Sequence, residues 1–274
     1  IAGRLAARTG FDDAHVSVRT HAKLSDKAGE GVELVAAGGL VERLRAVKDA
    51  GEIAAMRTAA EIADRAYEHI HARGLSGRSE RAVAIDVARF MEDAGADGPS
   101  FPAIVAAGEN GARPHAEPRE VETPRDTLVV VDMGARVDGY CSDCTRTFAT
   151  GSLDDDARGV YELVRSAQAA ARDAVRAGAA CREVDAVARD LIEAAGYGER
   201  FGHGLGHGVG LEVHEDPRLA RTADGSLEAG NTVTVEPGVY LPDRFGVRIE
   251  DLVVVTDNGC DALTGFPKEL VTVD

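Results

Sequence analysis

The sequence predicts an α+β fold in which paired helices followed by strands occur twice along the chain. Apolar residues recur at helical spacing in two separate stretches, which indicates amphipathic helices. Each stretch is followed by short runs rich in valine, isoleucine and threonine that are typical of strands. An Asp138-Gly139 pair between two of these runs is a strong hairpin signal and favours antiparallel pairing.

The first 40 residues are predicted to be the end of a separate α/β unit, and residues 41–274 the main domain. Short apolar runs at 14–18 and 32–36 indicate strands between polar turns. The chain of 274 residues is long enough for one large core with a smaller appended unit.

Helical spacing begins at Val41 and predicts one long amphipathic helix as far as Ile70. A second helix is predicted from Ser79 to Met91. Ser79 is the expected N-cap of this helix, and Gly95 lies just beyond its end.

Three extended runs follow, and the hairpin signal predicts how the last two pair. The runs are 101–107, 128–133 and 140–148. If Asp138 and Gly139 form the turn, Val137 pairs with Tyr140.

The same register brings two carboxylates together. Asp132 falls opposite Thr145 across the hairpin, and Asp143 lies diagonally from Asp132 on the same face of the sheet. Both side chains are therefore expected within reach of a shared ion pair.

The second half repeats the order of elements. Helices are predicted at 154–178 and 182–196, and strands at 231–240 and 245–256. Asp154 and the two acidic residues after it suit the positive N-terminal end of the first of these helices. The sequence similarity between the halves is too weak to assert a repeat.

The composition excludes several classes of partner. A net charge of −16 disfavours nucleic acid and anionic membranes, because phosphate contacts need clustered basic side chains. No apolar run approaches the roughly 20 residues of a membrane span, and the N-terminus lacks the layout of a signal peptide, so a cytoplasmic location is expected. The chain has only four lysines, which indicates either a high-salt cytoplasm or a GC-rich genome that favours arginine.

Four cysteines allow two interpretations. Cys141 and Cys144 form a C-x-x-C pair, which is found in redox sites and in zinc sites. No second such pair completes a zinc site, and Asp143 between the thiols belongs to another set of residues. Free, mostly buried thiols in a reducing compartment are therefore predicted.

Five residues with metal-binding side chains lie in extended or glycine-rich segments of the C-terminal half. They are Asp132, Asp143, His207, Glu236 and Glu250. We interpret them as one dinuclear site, because the charge of four carboxylates is balanced by two divalent cations. Strand alternation places Glu236 away from the neighbouring valines and puts Arg248 on the same side as Glu250. Taken alone, that arginine and glutamate are as well explained by a surface ion pair.

Further histidines lie close to these segments. Glycine occupies every second position from 202 to 210, so that another backbone or a ligand can approach one side while His203, Leu205 and His207 share the other. The spacing does not fit a nucleotide-binding loop. His214 follows among acidic residues, and His115 lies in a proline-flanked loop; alone, each is more often a surface residue.

Together these segments resemble the pita-bread metallopeptidase family, and within it the Xaa-Pro peptidases, prolidase and aminopeptidase P. The resemblance covers about residues 41–274. It rests on motifs at 131–134 with 143–146, 202–215, 235–238 and 248–251, in the family's order. It implies two pseudo-symmetric αβ halves around a curved, mostly antiparallel sheet. The first 40 residues would be the end of a creatinase-type N-terminal domain, which in the family contributes to dimerisation, so a homodimer is expected.

The resemblance also implies roles for the site residues. Asp143 and Glu250 would bridge two metal ions, Asp132 would complete one site, and His207 with Glu236 the other. Glu236 would also transfer a proton from the bridging water or hydroxide.

The remaining site residues would contact the substrate or orient a ligand. His115, His203 and His214 would surround the scissile peptide and stabilise its developing negative charge. Arg248 would orient Glu250 or the substrate. The expected metal is Mn²⁺, because oxygen ligands predominate, and Co²⁺ or Zn²⁺ would also be compatible with this donor set.

The predicted reaction is cleavage of the bond before proline in dipeptides or short peptides with proline second. Methionine aminopeptidase shares the fold and ligands, but His203 and Arg248 favour the Xaa-Pro branch. Two further functions fit the same fold. One is hydrolysis of small amides such as ectoine, and the other is the role of relatives that lost their metals and serve as interaction proteins.

Overall fold

The computed structural model describes residues 6–274. Its helices are α1 (Val18–Ala28), α2 (Leu40–Ala46), α3 (Ala50–Arg73), α4 (Glu80–Asp93), α5 (Asp155–Ala174) and α6 (Cys181–Ala194). Its strands are β1 (Arg8–Phe11), β2 (Glu33–Ala36), β3 (Gly98–Pro99), β4 (Ile104–Ala107), β5 (Thr127–Met133), β6 (Ala135–Val137), β7 (Tyr140–Cys141), β8 (Cys144–Thr150), β9 (Gly206–Gly208), β10 (Glu215–Leu219), β11 (Thr232–Val235), β12 (Gly238–Leu241), β13 (Phe245–Arg248), β14 (Asp251–Thr256) and β15 (Gly259–Ala262).

The chain divides into two compact units, one ending at Arg45 and the other running from Ala46 to Asp274. In the first unit β1 and β2 pair in parallel, and β2 confirms the strand predicted at 32–36. The strand predicted at 14–18 is wrong, because helix α1 begins there. The side chain of Ser17 caps α1 by accepting the N–H of Thr20 at 3.2 Å.

The single long helix predicted from Val41 is also wrong, because α2 ends before α3 begins. Asp49 starts α3 by accepting the N–H groups of Gly51 and Glu52 at 2.8 and 2.9 Å. The carboxylate of Glu52 in turn accepts the N–H of Asp49 at 2.7 Å. This capping box fixes the start of a new helix, and its Asp-x-x-Glu signature was present in the sequence.

The other helices form as predicted. Ser79 caps α4, and its hydroxyl accepts the N–H of Ala82 at 3.1 Å. Asp154 caps α5 in the same way through the N–H of Ala157 at 2.7 Å. Helices α5 and α6 end earlier than the helical spacing suggested.

Strands β4, β5 and β8 form an antiparallel sheet in the first half of the larger unit. The predicted register is confirmed, since Asp132 lies opposite Thr145 and Val137 pairs with Tyr140. The hairpin turn after Val137 has positive φ at both central residues, as a two-residue turn of this type requires.

The second half has a five-stranded antiparallel sheet in the order β10, β9, β11, β14, β15, beside a hairpin of β12 and β13. Helices α3 and α4 pack on one core with β4, β5 and β8. Helices α5 and α6 pack on another with β11, β13 and β14. The α+β fold and its twofold order are therefore as predicted.

The strands predicted at 231–240 and 245–256 are each split in two. The first splits at Glu236 and the second at Glu250. Proline at position 237 cannot donate a ladder hydrogen bond, so the chain leaves one sheet and joins another there. The run predicted at 140–148 is likewise interrupted, at Ser142 and Asp143.

The state of the cysteines and the hydropathy of the helices can be described for residues 6–274. The four cysteines are free, and three of them are buried. Among residues 6–274, no helix is both long and apolar enough to cross a membrane.

Candidate metal centre

Glu236 and Glu250 lie side by side because their strands are interrupted at the same level. Val235 is paired with Asp251 before the interruption, and Gly238 is paired with Arg248 after it. The two glutamates fall between these pairs. Chain crossings between the two sheets therefore bring both carboxylates to one place.

Asp132 and Asp143 reach this place from the sheet of the first half. Asp132 is the last but one residue of β5, and Asp143 immediately precedes β8. A Cβ atom on Gly134 would lie 1.8 Å from the carbonyl oxygen of Ser142, so only glycine permits the backbones to approach this closely. Asp143 lies at the interruption between β7 and β8, and the same register on both sides of this interruption keeps it diagonal to Asp132, as predicted.

His207 is the central residue of the short strand β9, between Gly206 and Gly208. A Cβ atom on either glycine would lie about 2 Å from a carbonyl oxygen of a neighbouring strand, as the predicted close approach requires. Leu205 does not share the face of His203 and His207. It lies in the hydrophobic core, because the chain before Gly206 is not a strand.

Three of the predicted ligands come together closely. Asp143, His207 and Glu250 offer ligand atoms that all lie within 4.8 Å of one another. His207 Nε2 is 3.2 Å from Glu236 Oε1 and 3.7 Å from Asp143 Oδ2. His207 Nδ1 is 3.0 Å from the carbonyl oxygen of Gly208. A hydrogen on Nδ1 satisfies that carbonyl and leaves Nε2 free to bind a metal, the arrangement usual for metal-binding histidines.

In Asp132 and Glu250, one carboxylate oxygen accepts a hydrogen bond and the other accepts none from the described residues. Arg248 Nη2 donates to Asp132 Oδ2 at 2.7 Å, and Thr145 Oγ1 donates to Glu250 Oε2 at 2.6 Å. Asp132 Oδ1 and Glu250 Oε1 are buried and accept no hydrogen bond from residues 6–274. Buried oxygens of this kind are costly unless they bind a cation, so the donor set fits a metal centre.

The electrostatics of the site favour cations as well. Burial raises the pKa of Asp143 and of Glu250 well above the ordinary value, and the neighbouring carboxylates raise it further. Burial also raises the pKa of Asp132, although Arg248 opposes this. Burial acts in the same direction on Glu236, but the hydrogen bond and charge of His207 outweigh it and lower its pKa to about 2. Divalent cations offset the repulsion among these groups.

All nine side chains predicted for the site line one cavity of about 510 Å³. They are Asp132, Asp143, His207, Glu236, Glu250, His115, His203, His214 and Arg248. The cavity wall also includes the apolar residues Phe101, Ile104, Val213 and Ala220, and the cationic Arg218. A cavity of this size holds a small molecule or a dipeptide.

The histidines outside the ligand set differ in their surroundings. His203 Nε2 is 2.9 Å from the hydroxyl of Tyr240, and burial lowers the pKa of His203. The ring of His214 lies 4.4 Å from that of His207, and burial together with the charge of His207 lowers the pKa of His214. Both rings are thus neutral near pH 7. His115 lies on an exposed loop at the mouth of the same cavity.

Arg248 connects the ligands to two other parts of the site. Besides Asp132, its guanidinium donates to the hydroxyl of Tyr240 at 2.8 Å, to Thr145 Oγ1 at 3.0 Å and to the carbonyl oxygen of Pro114 at 3.1 Å. Because an arginine donates only, the hydroxyl of Tyr240 is free to donate to His203. The buried side chain of Arg248 therefore contacts Asp132, Tyr240 and the loop that carries His115.

Sequence reasoning missed Tyr240 and Arg218. Tyr240 was placed in a predicted strand, but nothing in its spacing singled it out. Arg218 lies opposite His207 in the pairing of β10 with β9, a register that depends on an irregular shift in β10. Pro217, which lies within β10 where the register shifts, was a signal for such an irregularity.

Comparisons with known proteins agree with this geometry. The profile of metallopeptidase family M24 matches residues 54–257. An Xaa-Pro dipeptidase of Pyrococcus furiosus is 41% identical over 232 residues, which cover 85% of this chain and 67% of that relative. An uncharacterised peptidase of Bacillus subtilis is 43% identical over 264 residues, covering 96% of this chain and 74% of that relative.

Solved structures give the same picture. An Xaa-Pro dipeptidase from Bacillus anthracis superposes with a TM-score of 0.93 at 42% identity, covering 96% of this chain and 74% of that one. A prolidase from Pyrococcus furiosus superposes with a TM-score of 0.91 at 38% identity, covering 95% of this chain and 76% of that one.

Proposed function

The chain belongs to metallopeptidase family M24, and from this premise we propose that it hydrolyses the peptide bond before proline in Xaa-Pro dipeptides. Membership and the similar structures confirm the predicted resemblance and the pita-bread fold. The chain is thus a peptidase. The observation that carries the substrate proposal is that the five candidate metal ligands, three further histidines and the cationic side chain of Arg218 all line one small cavity.

The residues of the cavity divide the work of hydrolysis. Asp132, Asp143, His207, Glu236 and Glu250 would hold a pair of divalent cations, which would supply an activated water and polarise the scissile carbonyl. Arg248 and Thr145 fix the orientation of the carboxylates, since each donates a hydrogen bond to a ligand oxygen. The apolar wall excludes bulk water and packs against the proline ring.

Glu236 is the proposed proton acceptor. Thr234 Oγ1 donates a hydrogen bond to its Oε1 at 3.0 Å. That hydrogen bond fixes the carboxylate beside His207. Glu236 then passes the proton to the leaving imino nitrogen of proline, as general acid-base catalysis requires.

Two histidines suit the substrate side of the cavity. A neutral His214 can donate a hydrogen bond to the developing oxyanion without adding a second positive charge beside the cations. His115 contacts the peptide from another loop of the cavity wall. His203 also contacts the peptide but donates no hydrogen bond to it, because its Nδ1 donates to the carbonyl oxygen of Gly204 at 2.8 Å and its Nε2 accepts from Tyr240.

Arg218 favours dipeptides over longer peptides. A dipeptide carries its own carboxylate one residue beyond the scissile bond, and a cationic side chain on the cavity wall can bind it. Among the described residues, no acidic side chain forms an ion pair with Arg218. In a longer peptide this carboxylate is replaced by a neutral amide.

A panel of substrates tests the proposed reaction. With Mn²⁺ present, we expect turnover of Ala-Pro, weaker turnover of Ala-Pro-Ala, and none of Met-Ala-Ser or ectoine. Release of the N-terminal amino acid, alanine or methionine, is measured by amino-acid analysis, and loss of ectoine by chromatography. Turnover of Met-Ala-Ser alone would identify a methionine aminopeptidase instead, and turnover of ectoine alone a small-amide hydrolase.

Replacement of Arg218 tests the dipeptide preference. Arg218→Met is expected to raise KM for Ala-Pro roughly 10- to 100-fold, equivalent to one charge-assisted hydrogen bond, with little change for Ala-Pro-amide. Arg221→Met is the matched control, since this exposed arginine lies outside the cavity wall. An equal loss with both substrates would show that Arg218 does not recognise the carboxylate.

Other properties complete the proposal. Mn²⁺ is the proposed metal, because oxygen ligands predominate in the site. Free cysteines support a reducing, cytoplasmic location. Residues 1–40 are proposed as the end of a creatinase-type N-terminal domain that contributes to a homodimer. The acidic composition supports a high-salt host, which salt-dependent unfolding would test.

A further inference from the structure

Two histidine-bearing loops at the cavity are each fastened by a buried carboxylate on the second helix of their half. Glu80 is the first residue of α4, and Asp185 lies in the second turn of α6. Neither residue lines the cavity. Both are almost inaccessible, with 1% and 0% of their surface exposed.

Glu80 holds both ends of the loop that carries His115. Its Oε1 accepts the N–H of Ala107 at 2.9 Å, where β4 ends. Its Oε2 accepts the side-chain amide of Asn110 at 2.9 Å and the N–H of Arg119 at 2.8 Å. The guanidinium of Arg119 also donates to Glu80, at 3.2 and 3.3 Å. One carboxylate thus gathers donors from three positions of the loop.

His115 depends on these anchors. The residues between Arg113 and Arg119 form neither helix nor strand, and His115 is exposed. Two further hydrogen bonds hold the loop. Arg248 donates to the carbonyl oxygen of Pro114. The Asn110 side chain, itself bound to Glu80, donates to the carbonyl oxygen of Glu117 at 3.1 Å. Loss of the hydrogen bonds to Glu80 frees both ends of the loop, so the imidazole of His115 is held less firmly relative to the candidate metal ligands.

Asp185 holds the loop of His203 in a comparable way. Its Oδ1 accepts the N–H of Leu205 at 3.0 Å, and both its oxygens accept from Arg189 at 2.8 Å. Arg189 in turn donates to the carbonyl oxygens of Phe201 at 3.0 Å and His203 at 2.8 Å. Three main-chain positions around His203 are therefore fixed from one helix.

Burial of the Glu80 and Asp185 carboxylates with their arginine partners costs free energy. A buried ion pair costs desolvation energy, and a well-packed apolar pair of similar size gives equal or greater stability. A carboxylate instead fixes the conformation of the loop, because it accepts hydrogen bonds from several donors of that loop at once.

We propose that Glu80 and Asp185 are positioning residues, one in each half, which act on the reaction through His115 and His203 respectively. This inference rests on the proposed function, in which both histidines contact the peptide. It predicts that each carboxylate is coupled to its own histidine and independent of the other.

Crossed double-mutant cycles test this coupling with Ala-Pro as substrate. Glu80→Gln is expected to lower kcat/KM about 100-fold, the size of effect that misplacement of a site residue by about 1 Å produces. In a His115→Ala background the same substitution should lower it less than about twofold, whereas in a His203→Ala background the full loss should remain. Asp185→Asn should show the reverse pattern.

Control variants separate positioning from general damage. Glu109→Gln removes another partner of Arg119, at 3.0 Å, but Glu109 is exposed and should leave kcat/KM unchanged. Asp190→Asn is the equivalent control on α6, where this residue is exposed. Metal content should be unchanged in every variant.

The outcomes are distinct. Equal losses in both histidine backgrounds would overturn the inference, because a purely structural role lowers activity regardless of which histidine is present. If Glu80→Gln does not fold, Arg119→Met and Asn110→Ala replace it, and additivity of these variants with His115→Ala would likewise overturn it. A folded wild-type protein that cleaves no Xaa-Pro peptide would refute the proposed function instead.

Discussion

Asp143→Ala is expected to abolish peptidase activity while leaving the fold intact. Asp143 is buried within 4.8 Å of ligand atoms of His207 and Glu250, and it is the proposed bridge between two cations. Loss of a metal site removes several kcal/mol of transition-state stabilisation, so kcat/KM for Ala-Pro should fall at least about 1,000-fold.

The fold should survive because the substitution removes a repelled charge rather than a packing group. Asp143 lies in the interruption before β8, outside the hydrogen-bonded ladder. Circular dichroism should therefore match the wild type. Asp173→Ala, at an exposed surface ion pair, is the control and should keep full activity. Near-normal turnover by Asp143→Ala would remove this residue from the site.

Metal binding is expected to be a major source of stability, and Asp143→Asn should remove most of this stabilisation. Cations that bind only the folded state stabilise it by about 4 kcal/mol at a thousandfold excess over Kd. In the metal-free protein the repulsion among buried carboxylates has no counterion. Asp143→Asn should therefore raise the metal-free stability by about 1–3 kcal/mol and weaken the response to Mn²⁺.

Thermal unfolding with and without a chelator measures both effects. The wild type should lose several degrees in Tm when Mn²⁺ is removed, and Asp143→Asn should show little change. Asp173→Asn is the control, because Asp173 is exposed and outside the site, and it should behave as the wild type. Identical Tm values with and without metal in the wild type would contradict a structural contribution of cations.

The five residues predicted as metal ligands line one cavity, whereas several strands that carry them end elsewhere than predicted. The Asp138-Gly139 turn set the register that places Asp132 opposite Thr145, because a two-residue turn leaves little freedom. Glu236 and Glu250 instead lie where strands break and change sheets, and alternation along a strand says nothing about such crossings. Only the proline after Glu236 hinted at one.

Long-range contacts explain the remaining differences between prediction and structure. The break before α3 was encoded locally by the capping box at Asp49 and could have been recognised. Other contacts arise from tertiary packing. Tyr240 lies between Arg248 and His203, and Glu80 accepts hydrogen bonds from the loop that carries His115. No spacing within the chain predicts that Tyr240 meets His203 or that Glu80 meets Arg119, since these pairs are 37 and 39 residues apart.

The most direct test of the dinuclear site is anomalous diffraction from crystals grown with Mn²⁺. We expect two manganese peaks per chain, about 4 Å apart, with Asp143 and Glu250 each contacting both ions. His207 and Glu236 should complete one coordination shell and Asp132 the other. No peak among these side chains, or a single ion bound elsewhere, would contradict the proposed centre.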